Sequence, residues 1–309
     1  MQVHQIINKQ NEKFKMNKIF IFLGLIFISF SGFSQDIDDL LDSELSVTKE
    51  YTTATFKSTH IINSHSVAQL KKNHLNFIIY HRFGSISGGI SKFFGIDNAN
   101  MRLGFEYGIN DWLTIGIGRS NYEKNYDGFI KARLLRQSKG GKFSSPVTLT
   151  YLASSEIFSR PFNDPNRKNY FSSRLTYVHQ LLIARKFSEN LSLQLMPTVV
   201  HKNLVKTVTQ MNDLPAIGIG GRYKITKRMA VTFEYYKSIR FSNEDIQYHD
   251  PIGIGIDIET GGHVFQLVFS NSPLMQEGGF VYGANNDDFF KGDLHFGFNI
   301  TRVFSFNHN

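Results

Sequence analysis

The sequence predicts an all-β protein, an antiparallel up-and-down transmembrane β-barrel of about 12 strands. Strand boundaries predicted from a single sequence err by a few residues, so a barrel of roughly 10–14 strands is compatible with the pattern. Three observations predict this class. Large apolar residues alternate with polar residues or Gly along runs of about ten residues. Short and long connections between these runs tend to alternate along the chain. An apolar segment near the N-terminus has the organisation of a Sec signal peptide.

Composition agrees with a barrel and excludes several other classes. The chain has 309 residues, with 29 Phe, 13 Tyr, 25 Gly and no Cys. Its mean hydropathy of -0.22 is too polar for a helical membrane protein, whereas in a barrel the lipid-facing and lumen-facing residues cancel in the average. The absence of Cys excludes disulfides, thiol nucleophiles and Cys-ligated zinc. The net charge is +8, yet no basic run is interleaved with aromatics, so nucleic acid is not an expected partner.

Residues 1–35 are predicted to be an upstream extension followed by the signal peptide, with Met16 as the better start. Lys18 supplies the basic region, residues 19–30 the apolar region, and residues 31–35 a small polar exit, with cleavage near Gln35. The apolar run of about twelve residues is short of the roughly 20 needed to span a bilayer as a helix, which argues against an N-terminal membrane anchor. Export followed by a barrel predicts location in the outer membrane.

Residues 36–72 are predicted to be a periplasmic N-terminal segment or a plug within the lumen. Residues 36–50 are acidic, and residues 51–72 are polar without a long apolar period. The barrel itself is assigned to residues 73–309.

The alternation of apolar and polar residues predicts the strands in order. Several are about ten residues long, as a tilted membrane crossing requires. A soluble sandwich also alternates, but its strands average five or six residues, and a soluble periplasmic β-protein is the main alternative on fold. The predicted strands lie at about 75–83, 101–109, 113–118, 126–137, 146–158, 170–187, 191–199, 217–225, 231–235, 252–258, 265–269 and 294–301.

The connections support the same topology. Tight turns are predicted near 110–111, 188–190, 226–228 and 260–262, and longer loops at 84–99, 159–169, 203–213, 240–250 and 271–292. Short periplasmic turns and long outer loops are typical of outer-membrane barrels. The last strand ends in aromatics apart from Arg302, which resembles the C-terminal signal read by the barrel-assembly machinery. That machinery and outer-membrane lipid are therefore expected partners.

Six stretches of the sequence resemble an uncharacterised family of bacterial outer-membrane β-barrel proteins, known as a domain of unknown function. They include TATFKSTHIINSHSV, in which His60 and Ser64 stand where the family usually has Arg and Gly. The resemblance implies a barrel in the outer membrane and implies no activity. The stretches are 53–67, 80–89, 116–138, 169–197, 257–272 and 292–304.

Alternation also predicts which charged side chains face the lumen. These residues are Arg82, Arg102, Glu106, Lys131, Arg133, Arg174, Glu234, Asp257 and Glu259. One hypothesis is a charged constriction that binds or passes a small solute or lipid. The other is a structural or interaction barrel, whose narrow lumen is filled by ion pairs and hydrogen bonds. The second is favoured, because barrels of about twelve strands are narrower than the 16–18-stranded porins with open channels.

Aromatic residues near strand ends are interpreted as interface girdles or as packing residues. The set is Tyr80, Tyr107, Trp112, Tyr170, Tyr223, Tyr235, Tyr236, Phe304 and Phe306.

The sequence predicts no metal site, no cofactor and no enzymatic function. His60, His65, His74 and His81 do not have the spacing of a helix-borne ligand pair, and no Cys assists them. The glycines of residues 218–221 precede a strand instead of the helix that a phosphate loop requires. No G-x-S-x-G motif occurs, and an outer-membrane lipid hydrolase is the enzyme alternative.

Overall fold

The structure, a computed structural model, describes residues 48–162, 166, 168–205, 207–240, 248–283 and 287–306. The predicted signal peptide and residues 36–47 lie outside the described residues, so both interpretations stay predictions. Residues from Lys49 onward form one compact unit. None of the helices in the described part of the chain has the length and apolar character that a membrane crossing requires.

Twelve antiparallel strands form a closed barrel, which confirms the predicted fold class. Each strand pairs with the next in the chain, and the last pairs with the first through Ile300 and Ile79. Closure leaves no unpaired edge, as a sheet in lipid requires. The strands are β1 His74–Ser85, β2 Ala99–Asn110, β3 Leu113–Ser120, β4 Asn125–Leu135, β5 Thr148–Phe158, β6 Leu175–Lys186, β7 Leu191–Lys202, β8 Asp213–Lys224, β9 Met229–Ser238, β10 Ile252–Thr260, β11 His263–Ser270 and β12 His295–Ser305.

The two faces of the strands separate as the alternation predicts. In β10, Ile254 and Ile256 are exposed on the outside, whereas Gly253, Gly255 and Asp257 are buried inside. Such outward apolar stripes recur around the barrel and form the surface expected to contact lipid. Along the inner face, glycines make room for large neighbours. A Cβ on Gly218 would lie 2.4 Å from the ring of Tyr236.

One strand boundary in the prediction is wrong. The sixth strand begins at Leu175 and not near Tyr170, because residues Phe171–Arg174 form a 3-10 turn. In this turn Ser173 N donates to Tyr170 O at 3.1 Å, and serines favour such local turns over a ladder. Of the two interpretations of the aromatic residues, Tyr80 and Tyr236 fit the second, since both are packing residues completely buried inside the barrel.

The connection between β4 and β5 lies at the end of the barrel where the other connections are short turns, but it is longer than they are. It binds the chain segment that precedes the barrel. Its residues Ser138–Lys139 pair with Glu50–Tyr51, just before the chain enters the barrel. Thr52 N then donates to Gln137 O at 2.9 Å. The link therefore holds the incoming chain at this end.

Ile256→Arg is expected to lower the free energy of unfolding by about 2–4 kcal/mol, the range for Arg on the lipid face near the bilayer midplane. Ile256 is 38% exposed and lies in the middle of β10. Denaturant titration of barrels folded in lipid vesicles measures the change. Ile256→Leu is the matched control and should change stability by less than about 1.5 kcal/mol. Equal stability of the two variants would show that this stripe does not contact lipid.

Candidate functional site

The lumen contains a plug, defined here as residues 52–73, which enters and leaves at the end of the barrel with the short turns. Where the plug leaves the lumen, Lys72 N donates to Asp111 Oδ1 at 3.1 Å and Asn73 N donates to Gly108 O at 2.9 Å. Between these points residues 59–66 form a tight turn, the plug hairpin. Ser66 N donates to Thr59 O at 2.9 Å, and Ile61 N to Ser64 O at 2.8 Å. These hydrogen bonds satisfy part of the hairpin backbone, and the backbone N–H groups at its tip bind the barrel wall.

Glu234 of β9 holds the tip of the plug hairpin. Asn63 N donates to its two carboxylate oxygens at 3.0 and 3.1 Å, and Ser64 N donates at 3.0 Å. The hydroxyl of Ser64 donates to the same carboxylate. Hydrogen bonds to an ionised acceptor are roughly twice as strong as neutral ones. This carboxylate is therefore a principal anchor of the plug.

Other wall residues bond the remaining polar groups of the plug hairpin. Arg82 Nη2 donates to Asn63 Oδ1 at 2.8 Å. Three amide side chains serve its backbone: Gln266 donates to Ile61 O at 2.7 Å, Asn299 to Ile62 O at 2.8 Å, and Gln194 to His65 O at 2.7 Å. Buried backbone groups need such partners, because a missing one costs about as much as a lost hydrogen bond. The lumen wall is thus complementary to this hairpin.

An outer loop closes the lumen from the other end. Residues 271–283, between β11 and β12, contain a single helical turn, α1 Glu277–Phe280. Phe280, Val281 and Tyr282 are buried in the same apolar cluster as Ile61 and Ile62 of the plug. Gly278 N donates to Glu156 Oε1 of β5 at 2.7 Å. Plug and loop together therefore occupy the middle of the lumen, and a cavity of about 310 Å³ remains between the plug and the wall residues Asp111 and Arg133 at the short-turn end.

A polar chamber lies between the plug hairpin and this outer loop. Its cavity measures about 10 Å³, close to the smallest cavity that can hold one water. It is lined by His60, His65, Arg102, Asp127, Phe129, Ser154, Glu156, Met275, Gln276 and Glu277. Arg102 forms a buried ion pair with Asp127, its Nε donating to Oδ1 at 2.9 Å.

His60 and His65 face each other across the plug hairpin. Their rings are 4.0 Å apart between centroids, and the two residues form an isolated β-bridge. Glu106 of β2 approaches from the wall, with its Oε1 at 3.5 Å from His60 Nδ1. Burial lowers the pKa of both rings, and the charges of Lys131 and Arg102 lower it further.

The structure places most of the predicted lumen residues on the inner face. Arg82, Arg102, Glu106, Lys131, Glu234 and Asp257 are buried there, while Arg133 and Glu259 are partly exposed. Arg133 Nη2 donates to Asp111 O at 2.5 Å, near the short-turn end. Glu259 pairs with Arg222 at 2.6 Å and with Lys57 of the plug at 3.0 Å.

Arg174 is the exception, because it lies in the 3-10 turn before β6. Its Nη1 donates to Phe158 O at 2.9 Å and to Arg160 O, so it binds an outer loop and does not face the middle of the lumen.

Sequence reasoning missed several residues of this site. It named charged residues only, although Gln194, Gln266 and Asn299 occupy inner positions of their strands and their alternation could have revealed them. It also compared the histidines with helix spacing only, whereas His60 and His65 meet across a hairpin. The spacing H-x-x-x-x-H, with Asn63 and Ser64 between the two histidines, was the available signal.

Comparison with known proteins shows the family. Residues 56–304 match the family described as Membrane bound beta barrel domain (DUF5777). The chain belongs to this family. The match confirms the resemblance found in the sequence and the membrane location, and barrels of this kind are outer-membrane proteins. Among curated proteins, none matches the sequence.

Several solved barrels are similar in structure. The NanC porin is 12% identical, with 76% of this chain and 100% of that chain covered and a TM-score of 0.45. An outer membrane channel from Pseudomonas putida F1 is 12% identical, with 77% and 97% covered and a TM-score of 0.43. An outer membrane phospholipase A from Escherichia coli is 11% identical, with 79% and 96% covered and a TM-score of 0.41.

Proposed function

We propose that this protein is a gated outer-membrane barrel, closed at rest by its own plug, and that a small solute passes only when the plug moves. The proposal rests on the hydrogen bonds between Glu234 and the plug tip, where two backbone N–H groups and a hydroxyl donate to one carboxylate. The attachment is polar and non-covalent. Water can replace each of these hydrogen bonds, so the plug can dissociate from the barrel wall without breaking a covalent bond.

The position of the apolar cluster supports a closed resting state. Ile61 and Ile62 of the plug pack with Phe280 and Val281 of the outer loop, and all four are almost completely buried. Each end of the lumen is thereby covered by a separate segment. Ions need a continuous water path, which this packing interrupts.

A non-enzymatic role is part of the proposal. A serine hydrolase would need a hydroxyl nucleophile bonded to a histidine that a third group orients. In the described lumen, the Thr59 hydroxyl and the Glu106 carboxylate both approach the same atom, His60 Nδ1, at 3.2 and 3.5 Å, whereas a triad needs them on opposite ring nitrogens. These surroundings favour a barrel over the lipid hydrolase.

Planar-bilayer recording tests the proposal with an opened variant, in which residues 57–68 and 274–282 are replaced by Gly/Ser segments of equal length. The wild type should show no stable conductance, and the opened variant should conduct. The control replaces the exposed outer-loop residues 87–94 in the same way and should stay closed. Heat-modifiable migration in detergent gels verifies that each protein is a folded barrel.

Two results would refute the gated barrel. Stable channels formed by the wild type would show that the lumen is open at rest. A folded opened variant that does not conduct would show a structural or interaction barrel without a usable pore.

A further inference from the structure

We propose that His60, His65 and Glu106 form a binding site for a divalent transition-metal ion of the Zn²⁺ type, which fastens the plug hairpin to the barrel wall. The inference rests on the proposed closed state, since two ligands belong to the plug and the third to β2. The metal would thus bind the docked plug and not the displaced one.

The ligand atoms already lie close together. One ring nitrogen of each histidine and one carboxylate oxygen of Glu106 all lie within 4.8 Å of one another. Ligands held about 2.0–2.2 Å from a tetrahedral zinc ion are roughly 3.5 Å apart, and the distance from His60 Nδ1 to Glu106 Oε1 is already 3.5 Å. Small side-chain rotations therefore complete the geometry.

Unpartnered polar atoms at this place point to a ligand. Glu106 Oε1, His65 Nδ1 and Glu277 Oε1 are buried, and none of the three has a hydrogen-bond partner among the described residues. Leaving one buried polar group unsatisfied costs about 1–3 kcal/mol, and more if it is charged. A cation bound between His60, His65 and Glu106 would give the unpartnered oxygen of Glu106 a partner.

The charges around the site leave Glu106 without a cationic side chain in an ion pair among the described residues. Arg102 is paired with Asp127, and Lys131 Nζ lies 3.4 Å from both Thr59 O and Ser66 O. A metal ion bound by Glu106 would pair with its carboxylate, which is costly to bury unpaired.

The donor set selects the class of metal. Two imidazoles with one carboxylate suit zinc and its first-row neighbours, whereas Ca²⁺ and Mg²⁺ prefer oxygen ligands. Glu277 lies beside the three ligands, with its Oε1 3.9 Å from His65 Nε2. Asn76 Nδ2 donates to Glu106 Oε2 at 3.0 Å and orients the carboxylate, as groups behind metal ligands commonly do.

Metal content after refolding tests the site. The mature protein is refolded in detergent with Zn²⁺ present, passed over a desalting column, and assayed for zinc by mass spectrometry. We expect one zinc ion per chain. His60→Ala, His65→Ala and Glu106→Gln should each weaken zinc binding at least roughly tenfold in a chelator competition. His179→Ala, which removes an exposed histidine on the outer face of β6, is the matched control and should retain the metal.

Co²⁺ substitution provides a readout independent of affinity. The Co²⁺-loaded wild type should show visible absorption bands of tetrahedral coordination, and Glu106→Gln should alter them. Glu106→Gln is nearly isosteric, so it keeps the test valid if a histidine variant does not fold.

Three results would overturn the site: no zinc in folded wild type, zinc retained by both His65→Ala and Glu106→Gln, or a preference for Mg²⁺ over Zn²⁺. Failure here is distinguishable from failure of the gated barrel. If the wild type binds no zinc but shows no conductance in bilayers, only the metal site is refuted. If the wild type conducts, the closed resting state is refuted.

Discussion

Glu234→Ala is expected to release the tip of the plug and to raise amide hydrogen exchange in residues 59–66 by roughly 100–1,000-fold. The substitution removes the acceptor of Asn63 N, Ser64 N and the Ser64 hydroxyl. Hydrogen bonds to a charged group contribute about 1.5–3 kcal/mol each, and buried donors left without a partner cost more. A loss of about 3–4 kcal/mol corresponds to the stated change, since 1.4 kcal/mol is tenfold. Exchange followed by mass spectrometry measures it.

The matched control for this prediction is Glu189→Ala. Glu189 lies in the turn between β6 and β7, its side chain is 87% exposed, and its partner is Lys186. Removing it should leave exchange in the plug unchanged, while Glu234→Gln, which keeps one acceptor oxygen, should give an intermediate rate. If exchange in residues 59–66 is fast in the wild type as well, the plug is not docked in solution.

Asp127→Ala is expected to lower the free energy of unfolding of the barrel by about 3–5 kcal/mol, the cost of breaking a buried ion pair from one side. Asp127 of β4 pairs with Arg102 of β2 across the intervening strand β3. Gly118 of β3 makes room for the pair, because a Cβ there would lie 2.5 Å from Arg102 Nη2. Without Asp127 the guanidinium stays buried and uncompensated. Urea titration in vesicles, followed by tryptophan fluorescence, measures the loss.

An exposed ion pair provides the comparison. Breaking the pair of Lys186 and Glu189 with Glu189→Ala should cost at most about 1 kcal/mol, because solvent screens such pairs. The double variant Arg102→Met/Asp127→Leu should recover much of the stability lost in Asp127→Ala, since it removes the unpaired charge. Equal effects of Asp127→Ala and Glu189→Ala would show that the lumen around Arg102 is hydrated.

Both predictions concern contacts that give the barrel its closed interior. The charged residues predicted from alternation were expected either to line a constriction or to fill the lumen with ion pairs. In the structure Arg82 and Glu234 bind the plug, whereas Arg102 binds across the wall. Their role in solute selection stays a hypothesis that the opened variant can test.

Local patterns in the sequence were sufficient to predict the barrel. Alternation of apolar with polar or small residues over about ten positions assigns each side chain to one face, because successive residues of a strand point to opposite sides. In β10 and β12 the structure follows this rule, with Ile254 and Ile300 on the outer face and the buried Asp257 and Asn299 on the inner face. The connections then set the strand order, since neighbours in the chain pair in an up-and-down barrel.

Local patterns did not predict the boundary of β6. The alternation continues through Phe171, but residues Phe171–Arg174 form a turn whose hydrogen bonds are local. An alternating pattern carries no information on where ladder pairing stops, which depends on how far the neighbouring strands extend.

What the sequence by itself determined is the barrel, its about 12 strands, and the face to which each strand residue points. What only the tertiary structure decided is which inner residues meet inside the lumen. Asn63 and Glu234 are 171 positions apart, and Ile61 and Gln266 are 205 apart. Whether such residues touch depends on their height in the closed barrel, which the stagger of all twelve strand pairs sets together. A period of two residues specifies inside or outside, but it does not specify height.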